Sequence, residues 1–127
     1  RERFEGPSGP TRLASILEGF RQTPPTNVAG RTVLSFVDHR DPAGRFGPIL
    51  SDTDNASRNV LSMRLAAGDR DDGARIILRP SGTEPLMKVY IELQGRARTS
   101  KEGRERLKMT MRDLQQGVRT MLSTASA

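Results

Sequence analysis

The sequence predicts an α+β domain, a four-stranded, mainly antiparallel sheet with helices packed on one face. Three observations point there. Apolar residues alternate with polar ones at Leu61, Met63 and Leu65, and again at Val89, Ile91 and Leu93. That period of two marks strands with a single covered face. Apolar residues recur at helical spacing near both ends of the chain, in Leu13, Ile16, Leu17 and Phe20 and in Leu107, Met111, Leu114, Val118 and Met121 or Leu122. The resulting order, helix, four strands, helix, separates the helices from the sheet as an α+β layout does.

Residues 1–10 are polar and rich in Gly and Pro, which predicts an exposed lead-in. A first helix follows, with Thr11 as its expected N-cap and Pro24-Pro25 as its stop. The division drawn from this is 1–22, a lead-in and linking helix from an upstream domain, and 23–127, the C-terminal domain itself. Thr32 to Val37 is the first strand. The polar stretch 38–58 has no periodicity and reads as a long surface loop. Strands over 59–65 and 75–78 flank the turn-forming residues 68–73 as a hairpin. The strand over 88–93 comes next. Thr99, Ser100, Lys101 and Glu102 then suggest a capping box ahead of the last helix. Gly103 and Gly117 weaken that helix, and the tail from Ser123 is expected to fray.

The chain has 127 residues, of which 34% are hydrophobic and 4% aromatic. That suits one domain with a modest core that leans on a neighbour. It opens at Arg1, which reads as part of a longer protein. It holds no cysteine, so disulfides within the chain, thiolate metal sites and thiol nucleophiles are excluded. No apolar run approaches membrane-spanning length. A cytoplasmic location and no membrane partner are expected. The net charge is +6 and the isoelectric point about 10.9. Such a balance suits nucleic acid, anionic lipid or phosphorylated small molecules. Lys and Arg are, however, spread among Asp and Glu, and five aromatics make a poor base-stacking platform. No nucleic-acid partner is expected, although a basic nucleic-acid-binding α+β module is the alternative reading. A purely structural or dimerising module is a third, in which Arg79 and Lys88 would point apart.

The richest chemistry lies between two strands, in Arg79-Pro80-Ser81-Gly82-Thr83-Glu84-Pro85. Arg79 offers a planar fork to two phosphate oxygens at once. Ser81 and Thr83 add hydroxyls. Gly82 lets the backbone bring its N–H groups close to an anion. Lys88 opens the return strand and reaches the same anion as a point charge. The competing explanation, turn chemistry alone, does not require the flanking Arg. His39 has no partner pattern and reads as a surface residue. Asp52, Asp54, Asp69, Asp71 and Asp72 lack the spacing of a calcium loop and read as turn formers.

This run, followed by Lys88-Val89-Tyr90-Ile91-Glu92, resembles the phosphate-binding loop in the C-terminal (fourth) domain of the α-D-phosphohexomutases, the phosphoglucomutases and phosphomannomutases. The resemblance is specific over 79–92 and weak before 59; Gly82 stands where some relatives have Asn, and Lys88 where many have Arg. It implies a TATA-binding-protein-like domain. It also implies that Arg79, Ser81, Gly82, Thr83 and Lys88 hold the non-reacting phosphate of a hexose phosphate. In such an enzyme a phosphoserine and Mg2+ pass phosphoryl groups through a hexose bisphosphate. The upstream domains of the same polypeptide carry those parts, so these 127 residues would hold no metal or catalytic residue and be inactive alone.

Overall fold

The computed structural model describes residues 2–69, 71–81, 86–95 and 100–125. The chain runs β1 (Glu2–Ser8), α1 (Pro10–Gln22), β2 (Asn27–Val28), β3 (Arg31–Asp38), α2 (Asp52–Ser57), β4 (Leu61–Leu65), β5 (Gly73–Pro80), β6 (Leu86–Gln94) and α3 (Lys101–Ala125). The strands line up as β1-β6-β5-β4-β3-β2, every pair antiparallel.

The α+β architecture is as the sequence predicts, and the sheet is wider than four strands. The expected lead-in is edge strand β1, paired along β6 from Glu2 opposite Ile91 to Ser8 opposite Leu86. The register slips between Glu5 and Ser8, around Gly6-Pro7. An edge strand tolerates Pro and is held by backbone hydrogen bonds, so it needs no apolar alternation to announce it. At the other edge β2 adds two residues. It turns into β3 through Ala29 (φ 53) and Gly30 (φ 76). Two successive left-handed residues give the tight turn that suits the twist of a hairpin.

One face of the sheet is the core. Leu61, Met63 and Leu65 of β4, Ala74, Ile76 and Leu78 of β5, and Met87, Val89 and Ile91 of β6 are buried there. Leu13, Ile16, Leu17 and Phe20 of α1 and Leu114, Val118 and Leu122 of α3 close over them. The predicted stripes are therefore the packed ones. Two helix starts differ from expectation. Gly9, not Thr11, is the N-cap of α1, because Pro10 occupies the first turn, where its missing N–H is no loss. For α3, Ser100 Oγ accepts the N–H of Gly103 at 3.0 Å. The position three residues after Ser100 is thus a glycine, and no acidic side chain can complete a box on Ser100; Thr99 lies outside the described residues. The helix also runs through Ala125 instead of fraying from Ser123.

Gly117 has a packing reason for its place in α3. A Cβ there would stand 2.5 Å from Ala29 Cβ and 2.9 Å from Ala29 Cα. Ala29 sits in the strained turn and cannot retreat freely. Alanine gains about 1 kcal/mol of helix propensity over glycine, but overpacking against backbone costs about 1–3 kcal/mol. Gly117→Ala is expected to lower the unfolding free energy by about 1 kcal/mol in a urea titration, as the difference of those two effects. A variant more stable than the parent would show that α3 can shift away from the β2–β3 turn.

Candidate functional site

The β5–β6 hairpin follows from alternation. Leu78 and Val89 are buried and opposed. Their neighbours Arg79 and Lys88, also opposed in register, therefore project from the face that carries no helix. Arg79 is exposed and Lys88 half-buried. The N–H of Ser81 donates to Leu86 O at 2.8 Å and closes the hairpin just beyond them. Of the five residues assigned to phosphate, the structure thus brings Arg79 and Lys88 together and sets Ser81 at the loop entrance. Gly82, Thr83 and also Glu84 lie outside the described residues. Like charges opposed across two strands repel, and a dianion between them would convert that repulsion into attraction. Tyr90, half-buried, shares their face and stands opposite Ile77. A hollow of about 210 Å³ lies on the other side of the hairpin base, between Pro80 and Ser81 and the α1 residues Pro10, Leu13, Ala14 and Leu17. It does not include Arg79 or Lys88.

The loop between β3 and β4 lies at the same end of the strands, where Asp38 pairs with Leu61 and Leu61 with Leu78. It holds the short helix α2, capped by Ser51 Oγ on the Asp54 N–H at 3.1 Å. The helix buries nothing, so no apolar pattern could reveal it. His39, expected at the surface, is half-buried: its Nε2 is 3.2 Å from Ser62 Oγ and its ring stacks on Phe46 at 4.6 Å. Burial first, and the nearby Arg75 second, hold the imidazole below its ordinary range and keep it neutral at neutral pH. Arg21 of α1 reaches this end too. Its Nη2 donates to Asn59 Oδ1 at 2.7 Å, and its Nε lies 3.1 Å from Asp38 Oδ1.

At the opposite end of the strands, a cleft of about 490 Å³ runs between the β2–β3 turn, the β4–β5 turn and α3. Its floor is an ion pair that the sequence did not reveal. Arg31 Nη1 and Nη2 donate to Asp71 Oδ1 and Oδ2, each at 2.7 Å. Asp71 Oδ1 also accepts the N–H groups of Gly68 and Gly73, so the expected turn role holds as well. Nothing local signals a pair forty residues apart; only the fold brings β3 beside that turn. Among the described residues, no group of three or more His, Cys, Asp or Glu gathers as metal ligands. Nor is any helix among them long and apolar enough to cross a membrane.

The hairpin lies inside a region that matches a known family. The family described as phosphoglucomutase/phosphomannomutase, C-terminal domain, matches residues 52–112. A Haemophilus influenzae protein named "Probable phosphomannomutase" is 31% identical over 86 residues, covering 68% of this chain and 14% of that protein. A Staphylococcus epidermidis phosphoglucomutase is 32% identical over 94 residues, covering 71% of this chain and 16% of the relative. A Staphylococcus aureus phosphoglucomutase is 33% identical over 93 residues, with 72% and 16% covered. The chain therefore spans about a sixth of the length of these relatives. The matched region holds α2, the three central strands, the Arg79–Lys88 hairpin and the first half of α3. This chain is a C-terminal domain of the phosphoglucomutase/phosphomannomutase family.

Proposed function

We propose that this domain anchors the non-reacting phosphate of a hexose phosphate in a mutase of the phosphoglucomutase/phosphomannomutase type. The observation that carries the reading is the register pair Arg79 and Lys88, on one face at the mouth of the Ser81 turn. The guanidinium meets two phosphate oxygens with a planar fork, and the ammonium adds a point charge from the return strand. Ser81 and the loop residues Gly82 and Thr83 would complete the cradle. In the whole enzyme this remote grip would orient the sugar, so that binding energy at one end positions the other for intramolecular phosphoryl transfer. The same grip would serve a bisphosphorylated sugar intermediate, which presents a phosphate at either end. Phosphoserine and magnesium chemistry would be supplied by upstream domains.

The domain by itself should bind inorganic phosphate and hexose phosphates in the millimolar range, about −4 kcal/mol. One domain supplies only part of the site, which makes few contacts and buries little apolar surface. An NMR titration with phosphate, glucose 6-phosphate, glucose and a short single-stranded oligonucleotide tests this. Resonances of 79–88 should move with both phosphates and stay still with glucose. Tight oligonucleotide binding with no response of these residues to phosphate would replace the anchor by a nucleic-acid site.

A further inference from the structure

The helix-free face of the sheet carries a second cationic row that the hairpin does not use. Ser35 of β3, Arg64 of β4 and Arg75 of β5 stand in one cross-strand row, Ser35 opposite Arg64 and Arg64 opposite Arg75. Ser35 and Arg64 are exposed and Arg75 is half-buried. Among the described residues, neither guanidinium takes part in an ion pair or a hydrogen bond that the structure gives, and Glu92, the register neighbour of Arg75 on β6, has an interaction of its own. Like charges directly opposed on adjacent strands destabilise a sheet. Elsewhere this domain meets its buried-side arginines with carboxylates, Arg31 with Asp71 and Arg21 with Asp38. The Arg64–Arg75 pair has no such partner.

We propose that Arg64 and Arg75, with the Ser35 hydroxyl beside them, form a second binding site for a phosphate-type oxyanion. Two forks on neighbouring strands can converge on one tetrahedral anion, and the serine adds a neutral donor. Arg75 and Arg79 are four residues apart on β5, about 13 Å at the usual rise of a strand. One hexose phosphate held at the hairpin does not use both loci through the same phosphate. The second site therefore takes its own anion, and its existence does not depend on the hairpin reading.

The test is an NMR titration of the chain with inorganic phosphate, comparing the parent with Arg75→Gln, Arg64→Gln and Arg79→Gln. In the parent, residues 35, 62–65 and 74–77 should shift with one dissociation constant and residues 79–88 with another. Arg75→Gln and Arg64→Gln should each weaken binding at the first set at least fivefold and leave the second set unchanged. Arg79→Gln should do the converse. Well-dispersed spectra of these surface variants confirm folding. The proposal is overturned if phosphate leaves the 62–65 and 74–77 resonances of the parent unmoved, or if they titrate unchanged in a folded Arg75→Gln chain.

Discussion

Asp71→Ala should lower the unfolding free energy of the domain by about 3 kcal/mol, the lower end of the usual cost of breaking a buried ion pair. The Asp71 side chain is 1% exposed and that of Arg31 13%. Removing the carboxylate strands a mostly buried guanidinium, whose remaining bond is to Ala66 O at 3.2 Å. It also orphans the N–H groups of Gly68 and Gly73, which shape the β4–β5 turn. Water in the adjoining cleft can reach part of Arg31, which keeps the loss at the lower end of that range. Asp71→Asn retains an acceptor for the two N–H groups and should cost about half as much, since one charge-assisted contact is worth about 1.5–3 kcal/mol. Urea unfolding of both variants measures this; a loss below about 0.5 kcal/mol, the scale of an exposed pair, would show the contact to be ornamental.

The same pair sets an acid limit. The hydrogen bonds from Arg31 first, then those from the Gly68 and Gly73 N–H groups, hold the Asp71 carboxyl below its ordinary range, against the opposing effect of burial. The folded value lies below the unfolded one, so the unfolded chain binds the proton more readily. This contribution is therefore fully present above about pH 4, the ordinary carboxylate value, and is lost as pH falls through the folded value. Asp71→Asn should flatten that part of the stability profile.

What could be read from the sequence is what burial writes locally. The stripes Leu13, Ile16, Leu17, Phe20 and Leu114, Val118, Leu122, and the alternation in β4 and β6, all face one core. Alternation also put Arg79 and Lys88 on one face, because Leu78 and Val89 fix the other. What escaped was held by backbone bonds or by contacts distant in sequence. Strand β1 pairs through its main chain, and α2 buries no side chain. Gly117 answers to Ala29, and Arg31 to Asp71 across forty residues. The row Ser35, Arg64, Arg75 needs the register of three strands before it exists at all.

If the domain is the proposed phosphate anchor of a mutase, Arg79→Ala in the full-length protein is expected to lower kcat/KM for hexose phosphates about ten- to more than a hundredfold. That is the loss of one charge-assisted, bidentate contact, about 1.5–3 kcal/mol. Arg79 is exposed and has no hydrogen bond or ion pair among the described residues, so its removal should leave unfolding by urea nearly unchanged. The pairing of lost turnover with kept stability is the signature of a ligand contact. Arg79→Lys should recover part of the activity, because the charge returns without the planar fork. Lys88→Ala should cost less than Arg79→Ala, since an ammonium supplies a point charge and no bidentate geometry. If remote binding energy orients the sugar, kcat should fall together with a rise in KM; a change in KM alone would mean the phosphate is held equally in ground and transition states. An Arg79→Ala enzyme that turns over hexose phosphates as fast as the parent, while free phosphate still shifts 79–88, would place the working anchor elsewhere.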